Sequence, residues 1–252
     1  MPILRDQAVV LGRVDYSETS QVLVFFTREH GKVRAIAKGI KRGTKKRFAV
    51  GADLLDIGHL CVSSRQERAA GLATLTEWKQ SRPLSGLREA LPRLHAGQYV
   101  AEVTANLTED WDPHPPLFDA LVETLEELSE TTDPLPSVVR YQYALLDSIG
   151  SLPRLDSCVV CGRADELTYF SSFEGGMLCR HCEAGRVEKR EVAANALAAL
   201  TGIKPSAPGA GRPSGGAVGA FDVLDYHISH LMGRAPRTAA KLVSPDRRRR
   251  LD

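Results

Sequence analysis

Along the first eighty positions apolar residues alternate with polar ones or run in short β-branched stretches, each ending at a turn signal. "QAVVLGRVD" (7–15) breaks at "YSETS", and "QVLVFFT" (21–27) breaks at "REHG", where Gly31 can supply a positive φ before "KVRAIAKG" (32–39). "DLLDIGHLCV" (53–62) and "LATLTEWK" (72–79) complete five predicted strands, enough for a small closed barrel. After "SRPLSG" (81–86) the period lengthens. Leu87, Leu91, Leu94, Tyr99, Val103 and Leu107 recur at near-helical spacing, with Pro92 kinking or resetting the first turn. "PPLFDALVETLEELSE" (115–130) opens on prolines suited to a helix start and carries Leu117, Leu121, Leu125 and Leu128 along one face. "PSVVRYQYALLDSIG" (136–150) predicts a third helix that stops at Gly150, and "REVAANALAALTG" and "FDVLDYHISHLMG" predict two more. The stretch "IKPSAPGAGRPSGGAVGA" (203–220) reads as loop or linker. The expected class is α+β: a five-stranded barrel over residues 1–82, then a helical domain over 83–252 with a cysteine-bearing insert at about 155–190 and a Gly/Pro-rich loop at about 202–218.

Composition changes this picture little: 252 residues, 43% hydrophobic and 25% charged, fit an ordinary soluble globular protein. No apolar run reaches the ~18 residues of a membrane span, and the first residues lack a secretory core, so a cytoplasmic chain with no membrane partner is expected. Charge changes it more. The net value of +2 conceals nine Lys or Arg against one acid between Arg28 and Arg47, and nine acids with no Lys or Arg between Glu109 and Asp133. Such a chain can offer a polyanion one face and withhold another.

"CVVCGRADELTYFSSFEGGMLCRHC" (158–182) sets two Cys-x-x-Cys knuckles 17 residues apart. Each two-residue gap lets both sulfurs reach one metal, so Cys158, Cys161, Cys179 and Cys182 are expected to bind one zinc ion, with Gly162 and Gly175–Gly176 easing the turns. Four thiolates fill the coordination sphere and leave no place for an activated water, so the expected role is structural. Leu178, where a base deaminase carries proline before its second knuckle, points the same way. His181 is expected on the surface, and Cys61 as a small core residue.

In "KVRAIAKG" a period of two sets Lys32, Arg34 and Lys38 on one face with Ile36, and Val33, Ala35 and Ala37 on the other. The following "IKRGTKKRF" adds Lys41, Arg42, Lys45, Lys46 and Arg47. Charge on a strand face and on the loop leaving it forms a stripe suited to a phosphate chain, with Tyr16, Phe25, Phe26 and Phe48 as candidate stacking faces. Phe25 and Phe26 point to opposite faces, so at least one belongs in a core. The plainer reading is a charged strand that protects a sheet edge.

"VLGRVDYSETSQVLVFFTREHGKVRAIAKGIKR", "CVVCG…YFSSFEGGMLCRHC" and "DYHISHLMGRAPRTAAKL" together resemble the RecO family of bacterial recombination mediators, over about residues 7–243. The resemblance implies an N-terminal OB-fold, a helical domain with a zinc module, and a non-enzymatic role. It implies binding of single- and double-stranded DNA, annealing of complementary strands, and loading of RecA onto DNA coated by single-strand-binding protein, together with RecR. It sets the DNA-contacting segment on Lys38, Lys41, Arg42 and the lysines that follow, and the metal ligands on the four cysteines. A groove among the middle helices suits the acidic, apolar C-terminal tail of single-strand-binding protein, and the setting implied is the nucleoid. Two other classes share parts of the pattern. A zinc-dependent nucleic-acid enzyme would need an open metal position, and a protein-interaction adaptor would use the acidic helix without touching DNA. No G-x-x-x-x-G-K-[ST] loop is present for a nucleotide.

Overall fold

The computed structural model describes residues 3–40, 52–63, 72–203 and 216–243. Five strands, β1 (Ile3–Asp15), β2 (Gln21–Thr27), β3 (Gly31–Ala37), β4 (Ile57–Ser63) and β5 (Ala73–Arg82), close into a barrel in the order β1-β2-β3-β5-β4. Every pairing is antiparallel except β3 with β5, which meet at Ala35–Ala73 and Ile36–Thr74. This is the Greek-key order of an OB-fold. Period-two alternation sends Leu23, Phe25, Val33, Ala35, Leu60, Val62 and Leu75 inward, where Phe25 meets Trp78 with ring centroids 5.3 Å apart. A bulge between Val10 and Gly12 bends β1 around the barrel.

Phe26, on the opposite face from Phe25, is equally buried: it packs outside the barrel against Phe118, centroids 6.3 Å apart. Phe118 belongs to α3 (Pro115–Glu130), which with α1 (Gly86–Glu89) and α2 (Leu91–Leu107) lies against the barrel wall. Pro92 sits in the first turn of α2, so the predicted helix is split there into α1 and α2. Leu55 adopts φ +69° and meets α2 at Gly97, where a Cβ would stand 2.6 Å from its Cδ1. The first compact unit, Met1–Thr131, thus holds α1–α3 together with the barrel.

The second unit, Thr132–Asp252, contains α4 (Leu135–Ser148), which stops before Gly150 at φ +68° as expected. A three-stranded sheet follows, β6 (Leu167–Ser171), β7 (Gly176–Cys179) and β8 (Arg190–Glu191), in the order β7-β6-β8. Helices α5 (Ala194–Thr201), α6 (Ala217–Met232) and α7 (Ala239–Leu242) complete it. Helix α6 packs on α4 and α5 and buries Phe221, Leu224 and Ile228. Among the described residues no helix is long and apolar enough to cross a membrane.

Candidate nucleic-acid interface and metal centre

Strand β3 carries out its predicted alternation: Val33, Ala35 and Ala37 enter the barrel core, while Arg34 and Lys38 are exposed. Cross-strand register sets Val14 of β1, Val22 of β2 and Ile36 of β3 side by side on the outer wall, and Tyr16 is exposed in the turn after β1. Arg34, Lys38 and this apolar row thus share one surface, a cationic strand beside faces that could receive bases. Phe25 and Phe26 take no part in it, since both are buried. Lys41, Arg42, Lys45, Lys46, Arg47 and Phe48 lie outside the described residues.

Lys32 departs from the expectation that it joins the stripe. It is only 5% exposed. Its Nζ donates to the carbonyls of Ala105 (2.8 Å) and Thr108 (2.5 Å) and lies 3.4 Å from Asp110 Oδ1. The C-terminal end of α2 comes down on this end of β3, and its last carbonyls present the negative pole of the helix dipole to the lysine. The ammonium caps a helix and is withdrawn from any outside phosphate. Two further cations of the tract meet the acidic stretch. Arg28 makes a two-toothed pair with Asp119 (3.0 and 2.9 Å), which raises its already high pKa, and Arg34 Nε lies 3.2 Å from Asp110. The basic and acidic stretches are therefore partly folded onto each other. Cys61, expected in the core, points outward beside Glu77, because Leu60 and Val62 on either side take the inward positions.

The four sulfurs of Cys158, Cys161, Cys179 and Cys182 lie within 4.8 Å of one another. Cys161 and Cys179 are 3.7 Å apart, against about 3.8 Å for two thiolates on the corners of a tetrahedron with ~2.3 Å zinc–sulfur bonds. Cys179 ends β7 and Cys182 turns back on it through an N–H to carbonyl bond of 3.0 Å. Cys158 enters a similar turn, closed by Gly162 at φ +76°. Burial opposes the Cys158 thiolate, yet the N–H groups of Cys161, Cys179 and Val160 aimed at its sulfur bring its pKa down to about 6. Cys182 is pushed up to about 12, first by its contacts with the sulfurs of Cys161 and Cys179. Four sulfurs this close cannot all ionise without a cation among them, so the donor set fits a bound metal ion. His181 turns to Glu166 (3.1 Å) at the surface, as expected.

Family comparison covers both halves of the chain. Residues 1–84 match the family model for the recombination protein O N terminal and residues 88–204 that for its C terminal. The DNA repair protein RecO of Anaeromyxobacter sp. (strain K) is 34% identical over 233 residues, spanning 87% of this chain and 89% of its own length. The chain belongs to the RecO family. The DNA repair protein RecO of Bacillus subtilis (strain 168) is 33% identical over 176 residues, spanning 70% of this chain and 67% of its own length. In this RecO-family chain the N-terminal match spans the whole barrel, and the C-terminal match contains all four cysteines.

One cluster in the C-terminal part was not anticipated. Glu188 accepts hydrogen bonds from Ser171 Oγ (2.6 Å), Ser172 N (3.1 Å), Phe173 N (2.9 Å) and Tyr226 OH (2.5 Å), fastening the β6–β7 turn to α6. His227 on the same helix adds Nδ1 to Ser172 Oγ (2.8 Å) and Nε2 to the carbonyl of Ser151 (2.9 Å). Burial opposes the Glu188 charge, but the four donors outweigh it and hold the pKa at about 2. A carboxylate whose folded pKa is depressed stabilises the fold above its unfolded value, and that contribution is lost as pH falls from about 4.5 to about 2. Thermal melts of Glu188→Gln are expected to lie below wild type at pH 7 and to converge on it toward pH 2. A constant difference across this range would contradict the assignment.

Proposed function

We propose that this chain is a DNA-binding mediator of repair and recombination that works without covalent chemistry. Residues 1–82 form its DNA-binding OB domain, residues 83–252 its helical domain, and the cysteine cluster holds one structural zinc ion. Single- and double-stranded DNA lie along the outer wall of β1–β3 and the basic segment from Lys38 to Arg47, and complementary strands anneal there. With RecR, and through the C-terminal tail of single-strand-binding protein, the chain helps RecA load on coated DNA in the cytoplasm. One observation carries this reading: the OB barrel exposes Arg34 and Lys38 beside the Val14–Val22–Ile36 row, on the strand that leads into Lys41, Arg42, Lys45, Lys46 and Arg47. Family membership supports the repair role, and the four-sulfur set, which saturates a tetrahedral ion, supports a structural metal over a catalytic one.

Annealing without a fuel must run on binding free energy, with the cations shielding phosphate repulsion between two strands. Charge reversal by Lys41→Glu together with Arg42→Glu is expected to abolish annealing and leave metal content and melting temperature unchanged. Annealing that persists in a folded double variant would reject the reading.

A further inference from the structure

We propose that Asp110 is a built-in competitor for DNA phosphate at Arg34, one that keeps the grip of the barrel wall weak enough for a strand to be released; this rests on the DNA-binding reading above. Asp110 bridges the buried Lys32 (Oδ1, 3.4 Å) and the exposed Arg34 (Oδ2 to Nε, 3.2 Å). Its backbone is fixed against β3. Lys32 and Asp110 form a parallel bridge, and Trp111 N donates to Lys32 O at 2.9 Å. Trp111 is held at φ +65°, and Gly31 lies so close that a Cβ there would stand 1.9 Å from Asp112 O. The Asp110 backbone cannot withdraw from this place, so its carboxylate stays within reach of Arg34. The Arg34 side chain, 56% exposed, can turn away on its long stem.

Arg34 follows the outward face two residues before Ile36 and four before Lys38, so a phosphate chain running along β3 meets it next to Asp110. An arriving phosphate must compete with that carboxylate for the guanidinium and also stands beside a fixed negative charge. The pair costs the interface affinity and gains it exchange. For a protein that must let go of strands once they have paired, a cation half-claimed by its own chain shortens residence on DNA.

The test uses the full chain and fluorescence anisotropy with a labelled single-stranded oligonucleotide across a salt series, with melting temperature recorded for each variant. Asp110→Asn is expected to bind about fivefold tighter, and the slope of log affinity against log salt to steepen by about 0.7, the increment of one more phosphate contact. Arg34→Ala is expected to bind more weakly than wild type, and Asp110→Asn with Arg34→Ala to bind no tighter than Arg34→Ala alone. Asp110→Ser, which keeps a hydroxyl acceptor for Lys32, carries the same expectation should Asp110→Asn fail to fold. A folded Asp110 variant with unchanged or weaker binding overturns the proposal, as does a gain that survives in the double variant. Wild type that ignores the oligonucleotide overturns the DNA-binding reading and this proposal together. Wild type that binds while Asp110→Asn changes nothing overturns this proposal alone.

Discussion

Stripping the metal from the cysteine cluster is expected to unfold the segment around residues 155–190 while leaving the barrel intact. The buried cluster there consists of Cys158, Leu178 and Cys179, with Val159, Leu167, Tyr169 and Cys182 packed against it, so three of its seven members are the sulfur ligands themselves. Apart from the sulfurs this cluster holds four side chains, too few to order the knuckles alone, while Phe170 and Met177 are buried elsewhere in the segment. A four-thiolate zinc site supplies on the order of 10 kcal/mol in small modules, so an ion held here would be the main source of order around the knuckles. Backbone hydrogen bonds tie the insert to the chain that enters it: Val159 N donates to Met177 O (3.0 Å) and Arg154 N to Gly175 O (2.9 Å). A strong chelator should release one zinc per chain and open this segment to protease, and Cys158→Ser or Cys179→Ser should reproduce the effect. Protease resistance that survives complete loss of metal would contradict it.

Lys32→Ala is expected to cost about 3 kcal/mol of stability, the low end for removing one partner of a buried, hydrogen-bonded charge pair, because Asp110 is itself partly exposed. The substitution also leaves the carbonyls of Ala105 and Thr108 without their donor at the end of α2. DNA affinity of the folded variant should fall only modestly, because Lys32 is buried and its loss acts on DNA solely through the Asp110 carboxylate it shares with Arg34. Lys38→Ala should do the reverse, weakening DNA binding with no change in melting, since Lys38 is exposed and has no ion-pair partner among the described residues. Urea denaturation alongside oligonucleotide titration separates the two. A Lys32→Ala protein as stable as wild type but weaker on DNA would restore Lys32 to the interface.

The contrast between these lysines marks where sequence reasoning stops. Alternation in "KVRAIAKG" assigns Val33, Ala35 and Ala37 to the core because that choice depends only on the strand's own period. Whether an outward residue meets water depends on what covers the strand, and Lys32 is covered by residues 105–110, more than seventy positions away. Phe26 is the apolar version of the same event, its partner Phe118 lying on α3. The outward place of Cys61 is written in its own strand, where Leu60 and Val62 on either side claim the inward positions. The gathering of the four sulfurs was legible because the spacing within each knuckle limits where its two sulfurs can go. Glu188 was not, because "GRVEKREV" gives one acid among charges no mark of the four donors that surround it once the β6–β7 turn meets α6. Strand β8 and helix α7 have two and four residues, too few to establish a period.

A barrel wall that grips a phosphate backbone must show it in its response to salt. Anisotropy of a short labelled single strand, titrated with the wild-type chain from low to moderate salt, tests this most directly. Five or six phosphate contacts predict a slope of log affinity against log salt of about −4. Absent binding in dilute buffer, or an affinity that ignores salt, would contradict the central claim whatever the metal content of the sample.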